Sequence, residues 1–209
     1  KVNKFLRKNK PDIVINCAGR VGGILANFTY PKEFLFENIY IQLNLIDACF
    51  KNNVRTFVNL GSSCIYPRLS KQPMLEEYLL AGPLEPTNEP YAIAKIAGIK
   101  LCEYYNKQYN CNFFSVIPPN IFGPRDNFSY KSSHVVSALI RRIHEAKIAK
   151  NKKLILWGTG SAKREFLFSE DLVEGLIYLM NNNINQSYIN IGSGKDISIK
   201  ELADLIKRV

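Results

Sequence analysis

The chain has 209 residues, 46% of them hydrophobic, and its 28 Lys and Arg against 18 Asp and Glu give a formal charge of +10. This length can bury one domain and part of a second. No apolar run of about 20 residues is present to span a membrane, no signal peptide opens the chain, and the scattered basic residues lack the aromatic-basic stripe of a nucleic-acid site.

Alternating apolar and amphipathic segments predict strands and helices in turn along the first part of the chain. In chain order these are a strand at 12–17, a helix at 31–52, a strand at 54–60, a helix at 88–109 and a strand at 112–117. This alternation is typical of an α/β fold with a doubly wound parallel sheet. A Rossmann-like sheet is therefore predicted for residues 1–120.

Elements are more interleaved in the second part of the chain. They are a helix at 132–150, a strand at 154–157, a short segment at 165–168, a helix at 170–181, a strand at 188–191 and a helix at 199–208. We expect residues 121–209 to form mainly a smaller α/β substrate lobe, with some elements returning to the Rossmann-like sheet.

Two groups of polar residues indicate carbonyl chemistry. Ser62, Ser63 and Cys64 share one short loop, and Tyr91 and Lys95 are four residues apart in a predicted helix. This spacing places the ammonium beside the phenol, where it would favour the phenolate. Such a tyrosine can give a proton to a ketone oxygen while a serine hydroxyl hydrogen-bonds the same oxygen. An amphipathic helix with an incidental Tyr and Lys is the alternative.

The neighbouring segments favour the chemical interpretation. The apolar run at 54–60 ends at Gly61, directly before the Ser62 loop, and the run at 111–118 ends before Asn120 and Gly123. Ligands of open α/β sheets bind at the carboxyl ends of the strands. Both polar loops are therefore predicted to line one crevice.

Several stretches resemble the extended short-chain dehydrogenase/reductases and, within them, the GDP-L-fucose synthase family. They are residues 20–24 (Arg-Val-Gly-Gly-Ile), 61–67, 84–100, 133–135 (Ser-His-Val), 141–142 and 157–158. The long block around Tyr91 is the most specific of these. This resemblance implies NADPH-dependent epimerisation at C3 and C5 and reduction at C4 of GDP-4-keto-6-deoxy-D-mannose.

Roles for single residues follow from the same resemblance. It implies that Ser62, Tyr91 and Lys95 form the reductase triad, that Cys64 is the epimerisation base and that His134 is its partner acid. A thiolate poised near physiological pH would be needed. The implied NADP(H) site comprises Ala18, Leu60, Gly61, Ser62, Ser63, Tyr91, Lys95, Pro118, Asn120, Ile121 and His134. The implied GDP-sugar site comprises Val21, Gly22, Asn120, Arg142, Trp157 and Arg164.

Purely structural roles are the alternative for some of these residues. Arg142 can be an ordinary solvated helix residue, and Trp157 can be a core anchor at the end of its strand. The remaining cysteines lie in apolar runs and are expected to fill the core; they are Cys17, Cys49, Cys102 and Cys111. His144 is expected to be solvated. No spacing of Cys, His and acidic residues indicates a metal site, and five cysteines without a framework favour a reducing, cytoplasmic location.

The predicted helix at 31–52 is apolar over most of its circumference, which indicates burial on two sides. One side can cover the sheet, and the family resemblance implies that the other pairs with a symmetry mate. We therefore expect a homodimer. A single thick core in the monomer is the alternative.

Two departures from the family limit these expectations. The Gly-x-x-Gly-x-x-Gly loop that would hold the cofactor pyrophosphate is absent from this sequence, so an interior fragment of a longer enzyme is expected. Pro119 stands where relatives more often have a hydroxyl residue. The alternatives are therefore a C4 reductase acting on a related GDP-4-keto sugar such as a heptose, or an NAD-dependent nucleotide-sugar epimerase or dehydratase.

Overall fold

Parallel strands near the middle of the molecule form its main sheet. The computed structural model describes residues 1–130, 132–156, 158–182 and 186–209. Within these residues the sheet has four parallel strands in the order β1–β2–β3–β6, namely β1 (Ile13–Asn16), β2 (Thr56–Leu60), β3 (Asn112–Ile117) and β6 (Tyr188–Asn190). The late strand β6 thus returns to the sheet that the first half of the chain builds.

Helices cover both faces of this sheet. The described helices are α1 (Val2–Asn9), α2 (Ile24–Thr29), α3 (Pro31–Lys51), α4 (Glu89–Tyr109), α5 (Val135–Ile148), α6 (Ser169–Asn181) and α7 (Ile199–Arg208). Phe57 and Phe113 share one buried cluster with Ile46 of α3 and Cys102 of α4. Val58 and Phe114 point to the other face and pack on Leu172 and Leu176 of α6. The predicted doubly wound α/β architecture is confirmed.

A smaller sheet lies in the second part of the chain. It comprises β4 (Asn120–Phe122) and β5 (Lys163–Phe168), which are parallel, and β7 (Asp196–Ser198), which is antiparallel to β5. Helices α5 and α7 share a core with it through Leu139 and Leu202. A capping box begins α7, because the Ser198 hydroxyl accepts from Glu201 N and the Glu201 carboxylate accepts from Ser198 N.

Most predicted elements are present, and the exceptions have physical reasons. The strand predicted at 154–157 is wrong for 154–156, where the described chain forms no strand; Trp157 lies outside the described residues. Ile155 is exposed, and its carbonyl accepts a hydrogen bond from the Arg142 guanidinium rather than from the backbone of a neighbouring strand. The helix predicted at 132–150 begins only at Val135. None of the described helices combines the length and apolar character needed to cross a bilayer.

The contact between α3 and α4 depends on a glycine. A Cβ at Gly98, in the middle of α4, would lie 1.9 Å from Gln42 Oε1 and 3.1 Å from Asn59 Nδ2. The Gln42 side chain is buried and hydrogen-bonded on both sides, so it cannot move aside freely. Close packing of the two helices therefore requires glycine at this position.

We expect Gly98→Ala to destabilise the protein by about 1–3 kcal/mol, because the added methyl group displaces the buried Gln42 amide. Helix propensity alone predicts the opposite, a gain of about 1 kcal/mol. Urea unfolding would measure the difference, with Ala97→Ser on the exposed face of α4 as the control. A Gly98→Ala protein as stable as the wild type would contradict the packing argument.

Candidate active site

Loops from two adjacent strands meet at the carboxyl edge of the main sheet. Gly61 N donates to Val116 O at 2.8 Å, and Ser63 N donates to Pro118 O at 3.2 Å. A Cβ at Gly61 would lie 2.5 Å from Ile117 Cδ1, so the chain passes too close to β3 for a side chain. These contacts direct the loop after β2 toward the loop after β3. The two polar loops that the sequence predicts at one edge of the sheet therefore lie side by side at the ends of β2 and β3.

A short 3₁₀ turn (Ser63–Ile65) carries the polar group of the first loop. Ser62 precedes the turn in extended conformation, and its hydroxyl faces both the Cys64 thiol and the Tyr91 hydroxyl. Ile65 and Tyr66 anchor the turn in a buried cluster with Ile99 of α4. The structure thus brings Ser62, Cys64 and Tyr91 together, as the sequence predicted.

Lys95 is the buried cation of this site. Its side chain is 4% exposed, and Nζ donates to Leu60 O at 2.8 Å, at the end of β2. The same atom lies 5.5 Å from the centre of the Tyr91 ring, which confirms the predicted arrangement on one helix face. Phe34 of α3 packs edge-on against Tyr91 with ring centres 6.2 Å apart. One ring and one carbonyl therefore hold the Tyr91–Lys95 pair.

The electrostatics of Tyr91 differ from the expectation. Burial raises the pKa of Tyr91, the nearby Cys64 raises it further, and the Ser62 hydroxyl lowers it only partly. Burial of the phenol is the largest of these causes, so the pKa shift runs opposite to the one that the Tyr91–Lys95 spacing predicts. The side chain is a neutral phenol and hence a proton donor.

Cys64 is likewise a neutral thiol. Burial raises the pKa of Cys64 to about 11, although the Ser62 hydroxyl and the Lys95 ammonium both lower it. The implied role of Cys64 as a base requires a thiolate near physiological pH, and burial of the thiol opposes its ionisation. Burial also lowers the pKa of Lys95, opposed by Cys64 and Cys17. Because a neutral thiol is the resting form, removal of a substrate proton by Cys64 requires prior loss of its own proton.

The loop after β1 closes one side of the crevice. Asn16 Oδ1 accepts from Ala18 N at 3.1 Å, and Asn38 of α3 exchanges hydrogen bonds with both N and O of Arg20. A Cβ at Gly19 would lie 3.7 Å from Lys95 Nζ. The loop is therefore held close to the buried ammonium. Beyond it, Val21 is exposed and Gly22 is half-buried.

Cys17 lies at the same edge of the sheet. It is exposed rather than buried, so the expectation that it fills the core is wrong; it follows the last residue of β1, where the chain leaves the sheet. Cys49 and Cys102 are buried in the core as expected. Cys111 is half-buried, and His144 is exposed as expected.

His134 caps the N-terminus of α5 and is exposed. The preceding residue, Ser133, is in reach of the loop after β1, since a Cβ at Gly23 would lie 3.3 Å from its carbonyl oxygen. The segment carrying His134 thus adjoins the loop that carries Val21 and Gly22.

The remaining predicted residues are on the smaller sheet and its helices. Asn120 begins β4, where its Nδ2 donates to Glu165 O at 3.0 Å, and Ile121 follows it with an exposed side chain. Arg142 lies on α5 with its guanidinium on Ile155 O, and Arg164 lies exposed on β5. Among the described contacts, none joins either arginine to Ser62, Cys64 or Tyr91. Trp157 lies outside the described residues.

Sequence reasoning missed the asparagines that support the site. Asn38 holds the Arg20 backbone, and Asn16 holds Ala18 N. A usable signal was present, because Asn16 and Asn59 interrupt otherwise apolar strands directly before a loop. Buried amides in such positions are retained only where they find partners.

Comparisons with known proteins show the family of this chain. A family model described as NAD dependent epimerase/dehydratase family matches residues 1–192. The chain belongs to this family. GDP-L-fucose synthase of Sinorhizobium fredii (strain NBRC 101917 / NGR234) is 54% identical to it over 208 residues, which cover all of this chain and 66% of that protein.

Two solved structures extend the comparison. A GDP-6-OMe-4-keto-L-xylo-heptose reductase from Campylobacter jejuni superposes with a TM-score of 0.91 at 36% identity, covering 99% of this chain and 70% of that one. A GDP-L-fucose synthetase from Naegleria fowleri bound to NADP superposes with a TM-score of 0.89 at 30% identity, covering 99% of this chain and 64% of that one. This member of the epimerase/dehydratase family thus spans about two thirds of the length of these relatives.

The raised pKa of Cys64 predicts slow alkylation at neutral pH. We expect iodoacetamide modification of Cys64 to rise about tenfold per pH unit from pH 7 to beyond 9, whereas in the urea-unfolded chain it levels off near the ordinary thiol pKa of 9.0. Peptide mass spectrometry would follow the modification. Lys95→Met should slow it further, and Lys100→Met on the same helix should not. A plateau for folded Cys64 below pH 9 would contradict the assignment of a neutral thiol.

Proposed function

We propose that this protein is an NADP(H)-dependent epimerase and reductase that converts GDP-4-keto-6-deoxy-D-mannose to GDP-L-fucose. The observation that carries the proposal is the convergence of Ser62, Cys64 and Tyr91 around one crevice, with the Lys95 ammonium behind them. A ketone reduction needs a proton donor and a hydrogen-bond donor at the carbonyl oxygen. A thiol beside that oxygen adds a group able to act on the adjacent C–H bonds.

Lys95 fits a nicotinamide cofactor. Its ammonium has three N–H donors, and in the described part of the chain Leu60 O is its one hydrogen-bonded acceptor, so two donors remain for ribose hydroxyls. Gly19 brings the backbone close to Nζ, since a Cβ there would lie 3.7 Å from it and 3.0 Å from Asn38 Oδ1. The residues proposed to hold the cofactor are Ala18, Leu60, Gly61, Ser62, Ser63, Tyr91, Lys95, Pro118, Asn120, Ile121 and His134. The NADP bound to the Naegleria fowleri protein supports NADP(H) as the form used.

Reduction at C4 uses the neutral phenol. When bound, NADPH supplies a hydride to C4 of the sugar. Tyr91 donates its proton to the C4 oxygen, to which the Ser62 hydroxyl also hydrogen-bonds. The Lys95 ammonium, 5.5 Å from the ring centre, stabilises the phenolate that remains. A raised pKa of Tyr91 suits this direction of reaction, because the donor is protonated when the ketone arrives.

Epimerisation uses the acidity that the ketone gives to C3–H and C5–H. Deprotonated Cys64 removes a proton from one face, the enolate charge develops on the C4 oxygen near Ser62 and Tyr91, and His134 delivers a proton to the opposite face. One proton leaves and one arrives at each inverted carbon. The raised pKa of Cys64 implies that this step accelerates as the pH rises, for as long as the partner acid keeps its proton.

The sugar nucleotide is proposed to extend toward the smaller lobe. Arg142 on α5 and Arg164 on β5 can pair with diphosphate oxygens, and a guanidinium suits this role because it binds such oxygens in pairs. Val21, Gly22, Asn120 and Trp157 complete the proposed substrate residues. On this view residues 1–120 form the cofactor portion and residues 121–209 mainly the substrate lobe.

A second candidate is a GDP-4-keto-sugar C4 reductase without epimerisation. It is favoured by the neutral state of Cys64 and by the likeness to the Campylobacter jejuni heptose reductase. Both candidates reduce C4 with the same proton donor, but only an epimerase exchanges the protons at C3 and C5 with solvent. Proton exchange therefore distinguishes them. Incubation with GDP-4-keto-6-deoxy-D-mannose in D₂O places deuterium at C3 and C5 if the protein is an epimerase. Reduction without such exchange supports the second candidate.

Variants separate the two proposed steps. We expect Tyr91→Phe to lower NADPH-dependent reduction by about 10²–10⁴-fold and to leave C3 and C5 exchange largely intact, because only reduction needs the phenolic proton. For Cys64→Ser we expect the exchange at C3 and C5 to fall and the NADPH-dependent reduction to be largely kept. NMR of the sugar protons and NADPH absorbance would measure both steps, with Tyr178→Phe on the exposed side of α6 as a control. Equal loss of both activities in either variant would contradict this division of roles.

We further propose that the protein is a cytoplasmic homodimer. Large apolar and aromatic side chains remain exposed on α3 and α4; they are Phe36, Tyr40, Leu43, Ile93 and Tyr104. Phe36 and Tyr40 stack with ring centres 6.0 Å apart and form a flat aromatic surface. Helices α3 and α4 run parallel to each other, since Phe34 contacts Tyr91 near their N-termini and Phe50 contacts Tyr109 near their C-termini. Exposed apolar patches of this kind mark interfaces, and a two-fold axis would pair this surface with the same surface of a second copy. All five cysteines are free thiols, in keeping with a reducing compartment.

Tyr40→Glu should raise the dimer dissociation constant by at least about 30-fold, because it places a carboxylate at the centre of the proposed apolar interface. Val173→Glu, on the exposed side of α6, is the matched control and should leave the constant unchanged. Sedimentation equilibrium would measure both. A monomeric wild-type protein, or equal effects of the two substitutions, would rule out the α3/α4 interface.

A further inference from the structure

A row of polar side chains crosses the buried sheet directly beneath the candidate active site. Asn16, Asn59 and Ser115 are register partners on β1, β2 and β3. Asn59 and Ser115 are 0% exposed and Asn16 is 3% exposed. Parallel strands covered on both faces normally carry apolar residues at such positions. A polar row there is costly unless each atom is paired.

Hydrogen bonds pair each amide of the row and continue it into α3. Asn16 Nδ2 donates to Asn59 Oδ1 at 3.0 Å, and Asn59 Nδ2 donates to Gln42 Oε1 at 3.3 Å and to Ser115 Oγ at 3.5 Å. Gln42 Nε2 then donates to Ala94 O at 2.8 Å and to Asn38 O at 3.0 Å. We call Asn16, Asn59 and Gln42 the amide chain.

Both ends of the amide chain reach the candidate site. At one end Asn16 Oδ1 accepts from Ala18 N, in the loop beside the Lys95 ammonium. At the other end Gln42 holds the carbonyl of Ala94, the residue that precedes Lys95 on α4. Between them, Asn59 precedes Leu60, whose carbonyl accepts the Lys95 hydrogen bond. The amide chain therefore connects the backbone on both sides of that bond.

The fold makes room for this chain. Gly98 leaves space for the Gln42 amide in the middle of α4, where glycine weakens a helix. Hydrogen bonds depend steeply on distance and angle, whereas apolar contact is non-directional. A chain of hydrogen bonds can therefore fix the position of α4 relative to the end of β2. Apolar side chains of similar size would fix that position less exactly.

We propose that Asn16, Asn59 and Gln42 are positioning residues for Lys95. The amide chain sets α4 against the end of β2 and so holds the ammonium at the Leu60 carbonyl, facing the crevice. None of the three touches the space proposed for substrate. The inference rests on the proposed function for its kinetic consequence, but the position of Lys95 can be measured without substrate.

The test replaces the amide chain with apolar side chains of similar size in the triple variant Asn16→Leu/Asn59→Leu/Gln42→Met. Removal of all three amides leaves no side-chain amide unpaired, but Ala18 N and Ser115 Oγ each lose one partner, so we expect a moderate loss of stability and a folded protein. Gln42→Met alone is the second variant and decides the matter if the triple variant does not fold. Asn106→Leu is the control, because its amide binds both N and O of Phe113 near the far end of α4.

Two readouts are used. NMR of lysine ¹³Cε, with Lys95 assigned through Lys95→Arg, reports the titration of the ammonium in the free protein. Steady-state kinetics with GDP-4-keto sugar and NADPH give kcat and KM. In the triple variant we expect the midpoint of the Lys95 titration to move, because the ammonium changes its distance to the Leu60 carbonyl, and kcat to fall at least about tenfold, with KM for the sugar changed less than about threefold. Asn106→Leu should lower the unfolding temperature and move neither readout.

An unmoved Lys95 titration in the folded variants overturns the proposal, whether or not kcat falls. An equal movement in Asn106→Leu overturns it as well, since general loosening of α4 would then be the cause. If the wild-type protein does not reduce a GDP-4-keto sugar, the proposed function fails, and the titration still decides whether the amide chain positions Lys95.

Discussion

The hydrogen bond from the buried Lys95 ammonium to the Leu60 carbonyl is the constraint on which the candidate site depends. An ammonium with 4% exposure must find an acceptor or lose its charge, and the carbonyl at the end of β2 provides one. The next residues after Leu60 are the Gly61 turn and the Ser62 loop. One helical turn before Lys95 lies Tyr91. The bond therefore fixes the distance between the loop and the helix that together carry the chemistry.

Burial of this group of side chains sets their protonation. Burial raises the pKa of both Tyr91 and Cys64, and at Cys64 the Lys95 ammonium lowers it only in part. A neutral phenol is ready to complete a ketone reduction. A neutral thiol is less ready to remove a proton from carbon. The geometry thus supports reduction at C4 more directly than it supports epimerisation, although both reactions would share the same oxygen.

Much of this arrangement could be predicted from the sequence because it depends on local patterns. The strands β1 to β3 are apolar runs, the helices α3 and α4 are long and periodic, and the Tyr91–Lys95 spacing fixes one helix face. The short elements α2, β4 and β7 were not predicted, because three to six residues are too few to show a helical or strand periodicity of hydrophobic residues. The state of Cys64 could not be predicted either, since desolvation depends on neighbours that are distant in sequence, such as Lys95 and Tyr91.

The buried amides mark a different limit of sequence reasoning. Asn16, Asn59 and Gln42 are individually unremarkable, and their meaning depends on the strand register that places Asn16 opposite Asn59. The asparagines that interrupt two apolar strands indicate buried polar groups, but the sequence does not indicate that Gln42 on α3 is their partner. Polar residues in a parallel sheet are therefore better interpreted together with the register than singly. The same register explains why Gly98 is required on the facing helix.

The central claim is that the crevice at the ends of β2 and β3 reduces C4 of a GDP-4-keto sugar with a hydride from NADPH. The most direct test supplies NADPH deuterated at C4 of the nicotinamide, together with GDP-4-keto-6-deoxy-D-mannose, and follows the label by NMR. Deuterium bound to C4 of the sugar product is the predicted result. A folded protein that leaves the label on the nicotinamide, or that releases it to solvent, would contradict the account.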